Sequence, residues 1–339
     1  MDAKPRRLVD IPSLDGLRAV SIAIVFAAHA GYEVVPGGLG VTIFFVISGF
    51  LITTLLRIEM EARDTVSLHN FYLRRVFRIL PLFYAVLILG LIGMRIGLGD
   101  GHVDLAATAS QFGHFFNFYA ITHSGYSIIP GSGIYWSLAI EEHFYLVFPL
   151  LVLLFCRLRL SPFRQGVILL VGCVAVLLWR SYLVYGLHVE TARTYYGTDT
   201  RLDSLLFGCA AALMLSPMLD RQRRWSRPNP WVALVAFACL GATLLVRGDA
   251  FRESSRYTIQ SIAIVVCMLY AITAAGSRTF RVLNWKAIAS SKSFGVPGLF
   301  RMPLCGKATS WMSIRSRYSS RMASTVSSDF SPTEPSTMT

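Results

Sequence analysis

Residues 13–31 read SLDGLRAVSIAIVFAAHAG, an apolar run that carries an arginine at Arg18 and a histidine at His29. On an α-helix the eleven steps from Arg18 to His29 turn through about 1100°, within roughly 20° of three full turns. Both side chains therefore share one face, about 16 Å apart along the axis. Three interpretations are open: chance, a snorkelling arginine with a structural histidine, or a functional pair.

The amino-acid composition indicates an integral membrane protein. Of the 339 residues 54% are hydrophobic and only 15% are charged, with a mean hydropathy of +0.54, whereas a soluble domain carries about 25% charged residues. Several apolar runs approach the roughly 20 residues that a helix needs to cross a bilayer core. We therefore predict an all-α, multi-pass membrane protein with transmembrane helices at about residues 17–35, 39–56, 80–98, 134–156, 166–186, 202–219, 231–247 and 257–276.

The formal net charge of +13 is concentrated in short segments between these apolar runs. This placement follows the positive-inside rule and predicts that the N-terminus and the end of the last span lie in the cytoplasm. No basic stripe with interleaved aromatic residues occurs on a polar domain, so binding of nucleic acid is not expected. The basic clusters lie at Lys4–Arg7, Arg74–Arg78, Arg157–Arg164 and Arg221–Arg227.

Three other features add smaller expectations. The six cysteines lie far apart, without the short spacings typical of metal ligands, so we predict free thiols and no bound metal. The aromatic stretch QFGHFFNFYAI, within the outer segment 99–133, predicts an interfacial or re-entrant helix. Beyond residue 286 the chain is rich in serine and arginine, which predicts a membrane domain over 1–286 and a disordered tail over 287–339.

An arginine cluster lies in NFYLRRVFRILPLFY, residues 70–84. Helical spacing lets Arg74, Arg75 and Arg78 converge, since they stand three or four residues apart. Pro81 is expected to open the following span, where its missing N–H costs least. Positive-inside anchoring explains the location of the cluster, whereas its compactness also suits bidentate recognition of phosphate.

Two further stretches place polar groups at predicted membrane edges. In IYWSLAIEEHFYLVFPLL (134–151), Ser137, Glu141 and Tyr145 follow at i+4 spacing, so one helix face carries a hydroxyl, a carboxylate and a phenol; Glu142 adds a second carboxylate. In TDTRLDSLLFG (198–208), Asp203 is either a helix cap or a group that binds a polar acceptor.

Together, five stretches resemble the acyltransferase-3 family of bacterial membrane O-acyltransferases. They occur in the family's order and cover residues 11 to about 285. The stretches are IPSLDGLRAVSIAIVFAAHAG (11–31), GGLGVTIFFVISGFLIT (37–53), FYLRRVFRILPLFY (71–84), WSLAIEEHFYLVFP (136–149) and RLDSLLFG (201–208).

The resemblance implies transfer of an acyl group, most often acetyl, from acetyl-CoA to a hydroxyl of a carbohydrate such as O-antigen or exopolysaccharide. It also implies a place in the bacterial inner membrane. By analogy His29 is the catalytic histidine, paired with Arg18, and Glu141 or Glu142 fills the acidic position after WSL. We expect His29 to act as general base.

The same resemblance implies that the RxxR pair, Arg75 and Arg78, binds the phosphates of acyl-CoA, with Arg74 assisting. Arg18 would bind phosphate or stabilise charge on the carbonyl oxygen, and the sequence leaves both roles open. The candidate acceptor-binding residues are Ser137, Glu142, Tyr145 and Asp203.

The chain departs from the family after VLNWKAIAS, residues 282–290. Family members usually have about ten spans and carry a stretch like ISYxLYLWHxP in their last region, and neither follows here. We interpret the change as a frameshift near residue 289. Two other interpretations stay open: a transporter or flippase with an Arg–His proton relay, and an inactive, truncated family member. The sequence does not indicate an oligomeric state.

Overall fold

The computed structural model describes residues 12–32, 34–97, 102–217, 219 and 229–274. Within these ranges all regular structure is helical, which confirms the predicted fold class. The proposed boundary at residue 286, the tail and Cys305 lie outside the described residues. The helices are α1 (Pro12–His29), α2 (Gly37–Arg63), α3 (Leu68–Arg95), α4 (Leu105–Phe112), α5 (Phe116–Thr122), α6 (Tyr135–Arg157), α7 (Pro162–Tyr185), α8 (Thr191–Tyr196), α9 (Thr198–Met214), α10 (Pro230–Leu245), α11 (Asp249–Glu253) and α12 (Arg256–Thr273).

Each of the eight predicted spans corresponds to one of these helices. In the described part of the chain, α2, α3, α6 with its preceding turn, α7 and α12 are long and apolar enough to cross a membrane. Helix α10 is apolar but shorter, with 16 residues. Helix starts follow local sequence rules: Ser161 and Asn229 cap α7 and α10, and a proline follows each at the first helical position.

The third span begins earlier than its proline suggests. The expectation that Pro81 opens this span is wrong, because α3 runs without interruption from Leu68 to Arg95. The Ser67 side chain accepts a hydrogen bond from the Asn70 amide and sets the start of the helix. As a result Arg74, Arg75 and Arg78 lie on a helix rather than in a loop.

The centre of the fold is the crossing of α2 and α9. Two glycines make the close approach possible: a Cβ on Gly49 would collide with the backbone oxygen of Leu205, and a Cβ on Gly208 with that of Val46. Small residues at such a crossing let two helix backbones come together inside a membrane. Helices α1 and α12 pack on α2 beside this crossing.

The buried Arg57 also ties α2 to α9. Its guanidinium donates to the carbonyl oxygens of Ala212 and Leu213, in the last turn of α9, at 3.3 and 3.2 Å. It pairs with Glu61 one turn along α2 at 3.0 Å. A cation at this end of a helix satisfies carbonyls that have no partner within the helix and complements the helix dipole.

The outer segment 99–133 forms two short helices, α4 and α5. Asp104 caps α4, and its carboxylate also accepts a hydrogen bond of 2.7 Å from the Tyr119 hydroxyl. That hydrogen bond lowers the pKa of Asp104. The helices agree with the helical part of the expectation, and an interfacial position stays a prediction.

Candidate active site

Helices α1, α3 and α6 bring one group of charged side chains together beside α2; Glu141 is buried, Arg18 and Arg75 are partly buried, and Arg78 is exposed. Arg18 of α1 interacts electrostatically with Glu141 and Tyr145 of α6 and with Arg78 of α3. The Phe44 ring of α2 lies 5.9 Å from the Arg18 guanidinium carbon. The regular α1 helix thus turns Arg18 towards α3 and α6.

Arg75 lies between the same helices. Its guanidinium carbon is 5.3 Å from the centre of the Tyr145 ring and 5.6 Å from that of Phe71. It interacts electrostatically with Arg18, Arg78 and Glu141. We call Arg18, Arg75, Arg78 and Glu141 the arginine cluster.

Glu141 is the central carboxylate of the arginine cluster. Its side chain is only 3% exposed and lies beside Ser48 and Tyr145. Its Oε1 and the Nε of Arg18 are buried without a hydrogen-bond partner in the described structure. Buried polar atoms are nearly always paired in proteins, so the unpaired Nε of Arg18, next to Arg75, makes the cluster suited to an additional anionic ligand.

The third arginine of the predicted convergence lies elsewhere. Arg74 is half exposed, and its guanidinium forms an ion pair of 3.2 Å with Glu59 of α2. The prediction that all three arginines converge is therefore wrong for Arg74. On one helix, the step from Arg74 to Arg75 rotates the side chain by about 100°, so the two arginines point to different neighbours.

His29 is the last residue of α1 and is exposed. Its Nδ1 lies 2.8 Å from the backbone oxygen of Val25. A carbonyl oxygen only accepts hydrogen bonds, so Nδ1 carries the ring proton in the neutral side chain and Nε2 keeps a free lone pair. The structure does not bring His29 to the arginine cluster, because Arg18 lies eleven residues earlier on the same helix.

The remaining candidates on α6 have different surroundings. The Ser137 hydroxyl donates to the carbonyl of Ile134 at 3.0 Å, so it is used within its own helix turn. Glu142 is half-buried, interacts with Glu141 and Arg75, and has one oxygen without a hydrogen-bond partner. Tyr145 thus contacts the arginine cluster on the same helix face as Glu141, as the spacing predicts, and Ser137 lies one turn away.

Asp203 has a structural partner. Its carboxylate pairs with Arg180 of α7 at 3.0 Å, both side chains being fully buried, and accepts a further hydrogen bond of 2.6 Å from Thr258 of α12. Asp203 is not a helix cap, since α9 begins at Thr198. The ion pair holds three helices together, and Asp203 has no exposed surface for a carbohydrate.

Sequence reasoning did not single out Arg180 and gave Arg201 no role. The signal for Arg180 was present, because an arginine inside the predicted span 166–186 needs a partner in the membrane. Arg201 is also fully buried; its guanidinium carbon lies 3.8 Å from the centre of the Tyr257 ring, and its Nη2 donates to Thr42 at 3.1 Å.

Two histidines near the start of α6 were likewise not predicted to interact with other elements. His143 hydrogen bonds to Thr198 at 2.9 Å and stacks on Phe118. His114, in the loop before α5, stacks on the Phe83 ring at 4.5 Å, and burial lowers its pKa. His114 thus packs the outer segment against α3, and His143 connects α6 to both the outer segment and α9.

In the part of the chain that the structure describes, no three His, Cys, Asp or Glu side chains form a group able to hold a metal ion. The five described cysteines are free thiols.

Comparison of the sequence with known protein families shows to which family the chain belongs. A family model described as an acyltransferase domain, that of the acyltransferase-3 family, matches residues 11–296. The chain belongs to this family. The predicted resemblance and the predicted class of enzyme family are thereby confirmed. No solved structure is significantly similar to the chain.

Two curated relatives carry more specific names. The protein is 34% identical over 228 residues to the peptidoglycan O-acetyltransferase OatA of Listeria monocytogenes, a match that covers 63% of this chain and 36% of the relative. It is 35% identical over 214 residues to the "Putative peptidoglycan O-acetyltransferase YrhL" of Bacillus subtilis, covering 60% of this chain and 33% of the relative. The match thus spans about a third of the length of these relatives.

Proposed function

We propose that the protein is a membrane O-acetyltransferase that moves an acetyl group from acetyl-CoA to a hydroxyl group of a cell-surface carbohydrate. Family membership supports the class of reaction, and the arginine cluster supports an anionic donor. The observation that supports general-base catalysis is the hydrogen bond from His29 to Val25, because it leaves Nε2 free to take a proton.

The donor site is the arginine cluster. Arg75 and Arg78 bind the phosphates of acyl-CoA, and Arg18, with its unpaired Nε, supplies a further donor from α1. Glu141 holds Arg18 and Arg75 in place by partly balancing their charge. Acetyl-CoA supplies an activated acyl group, since its thioester has a good leaving group. Arg74 has no part in this site, because it pairs with Glu59.

His29 acts as general base at the other end of α1. Its Nε2 takes the proton from the acceptor hydroxyl as that oxygen attacks the thioester carbonyl; the C–S bond then breaks, and the coenzyme A thiolate leaves and takes up this proton to become the thiol. The Val25 carbonyl holds the ring orientation through Nδ1. Arg18 and His29 are about 16 Å apart along the helix axis. The extended arm of acyl-CoA, which separates the thioester from the phosphates, is the part of the donor that would cover this distance.

The acceptor is a carbohydrate at the membrane surface. The names of the relatives favour peptidoglycan, while O-antigen and exopolysaccharide are the alternatives that the family resemblance offers. Of the predicted acceptor-binding residues, Glu142 and Tyr145 lie beside Arg75 and so belong with the proposed donor site, Ser137 lies one turn away, and Asp203 belongs to the structural ion pair. We place the protein in the bacterial inner membrane with its N-terminus in the cytoplasm.

The test is transfer of radiolabelled acetyl from acetyl-CoA to carbohydrate in membranes that contain the full-length chain, compared with membranes that lack it. The proposal predicts alkali-labile label in the carbohydrate fraction that depends on the chain. A chain that is inserted in the membrane and moves a sugar lipid across it without labelling would instead support the transporter interpretation.

A further inference from the structure

A cavity of about 610 Å³ opens at the end of the fold that we predict to face away from the cytoplasm. It lies between the start of α2, helix α8 and the connection from α10 to α12. It shares no residue with the arginine cluster. Its lining includes Gly37, Tyr195, Arg247, Arg252, Arg256 and Tyr257.

The charge of this lining is strongly positive. Three arginines, Arg247, Arg252 and Arg256, contribute to it, and no described carboxylate does. Arg252 has only a loose contact of 3.7 Å with the exposed Asp249. Arg247 makes no ion pair within the described residues, and the Nε of Arg256 is buried there without a hydrogen-bond partner.

A fourth guanidinium lies behind the cavity wall. Arg201 is fully buried against Tyr257 and Tyr195, both of which line the cavity, with its guanidinium carbon 3.8 and 5.8 Å from the two ring centres. Its Nε and Nη1 have no hydrogen-bond partner in the described structure. The nearby Asp203 already pairs with Arg180. A buried cation with unpaired N–H groups is costly unless an anion comes close.

The cavity is next to the end of α1 that carries His29. Gly37 lines the cavity and packs directly on α1, since a Cβ on Gly37 would lie 2.8 Å from the Cβ of Ala28. His29 follows Ala28 in the chain. The cavity therefore lies at the same end of α1 as the proposed general base, although His29 itself does not line it, and it shares no residue with the arginine cluster.

We propose that this cavity binds an anionic group, a carboxylate or a phosphate, of the carbohydrate acceptor. Guanidinium groups recognise such planar or tetrahedral oxyanions through paired N–H donors. The partly exposed ring of Tyr195 adds an aromatic surface on which a sugar ring can pack. That the bound saccharide is the acceptor of the acetyl group rests on the proposed function. Binding of an anionic saccharide in the cavity does not depend on catalysis.

Binding is measured on the full-length protein in nanodiscs of neutral lipid. The probes are an oligomer of galacturonic acid and a neutral galactose oligomer of the same length. The expected result is that the acidic oligomer binds and the neutral one does not at the same concentration, with affinity falling as salt is added. The double variant Arg247→Gln/Arg252→Gln should weaken binding of the acidic oligomer at least tenfold.

The matched control is Arg164→Gln, an exposed arginine on α7 that does not line the cavity; it should leave the affinity unchanged. Equal binding of the two oligomers, or no effect of the double variant, overturns the proposal. An anionic lipid headgroup is the other source of the same chemistry. Nanodiscs with phosphatidylglycerol test it: if this lipid occupies the site in an arginine-dependent way and the acidic oligomer does not bind, the cavity is a lipid site and the proposal is wrong.

The two proposals fail in different ways. His29→Ala should abolish acetyl transfer and leave binding of the acidic oligomer intact. If the oligomer binds through Arg247 and Arg252 but no acetyl group is transferred by the unchanged protein, the proposed function fails and the binding site stands. If acetyl is transferred and the oligomer does not bind, the proposed acceptor site is wrong.

Discussion

Arg18 and His29 lie on one helix but belong to opposite ends of it. Arg18 faces Glu141 and the arginines of α3, whereas His29 is exposed at the last residue of α1. The spacing that puts both on one face does not make them a contact pair. The two roles that we propose, donor binding by Arg18 and proton abstraction by His29, therefore lie at separate places on α1.

Two neighbouring arginines test the donor site. We expect Arg75→Gln to raise the KM for acetyl-CoA by about tenfold or more, because a charge-assisted hydrogen bond contributes about 1.5–3 kcal/mol. Arg74→Gln is the matched control, since Arg74 pairs with Glu59 outside the cluster. Its KM should change less than twofold. Equal effects of the two substitutions in a kinetic assay contradict the assignment.

Glu141 balances charge inside the bundle. Replacing it by alanine removes the carboxylate beside Ser48 and Tyr145 that interacts with Arg18 and Arg75, so we expect a loss of about 1–3 kcal/mol in the free energy of unfolding. A lower midpoint of thermal unfolding in detergent measures this loss. Glu190→Ala, on an exposed loop position, should leave the midpoint unchanged. A Glu141 variant as stable as the parent would show that the arginines do not depend on it.

The ion pair between Arg180 and Asp203 is a second buried charge pair and is structural. Asp203→Ala should lower the free energy of unfolding by about 3–5 kcal/mol, because Arg180 is left unpaired. The double variant Arg180→Met/Asp203→Ala should lose less than the sum of the two single losses. Additive losses would argue against a direct interaction.

Glycine at the crossing of α2 and α9 gives a further stability test. Gly49→Ala places a methyl group against the backbone of Leu205, which should cost about 1–3 kcal/mol or prevent folding. Gly241→Ala on α10 is the control, because a Cβ at this position would meet no neighbouring atom within 4 Å. This second change should be neutral or slightly stabilising, as alanine favours the helix. Similar thermal midpoints for both variants contradict a tight crossing.

Much of the fold could be predicted because membrane spans are long and apolar. The approximate positions of the eight predicted spans follow from the pattern of apolar runs, whereas the four short helices α4, α5, α8 and α11 were not predicted as separate elements. The main error was the predicted start of the third span, which we placed at Pro81, whereas α3 begins at Leu68. A proline inside a transmembrane helix is tolerated when neighbouring groups satisfy the freed carbonyl, and hydropathy does not reveal this.

The site was partly predictable for the same reason. An intramembrane charge needs a partner, so Arg18, Arg75, Arg78 and Glu141 could be selected as candidates. Their grouping depends on how four helices pack, which one sequence does not specify. Arg74 and Arg75 have different partners because adjacent side chains on a helix point about 100° apart and because Glu59 of α2 lies next to Arg74. The pairing of Asp203 with Arg180 likewise needed the tertiary contact between α7 and α9.

The most direct test of the account is acetyl transfer by His29→Ala at matched amounts of protein in the membrane. His123→Ala, a substitution of an exposed histidine in the outer segment, is the control. We predict that His29→Ala lowers the rate of acetyl transfer from acetyl-CoA to carbohydrate by at least about 100-fold, with the thermal midpoint unchanged, and that the control keeps its rate. Full activity of His29→Ala would contradict the role of His29 as the general base.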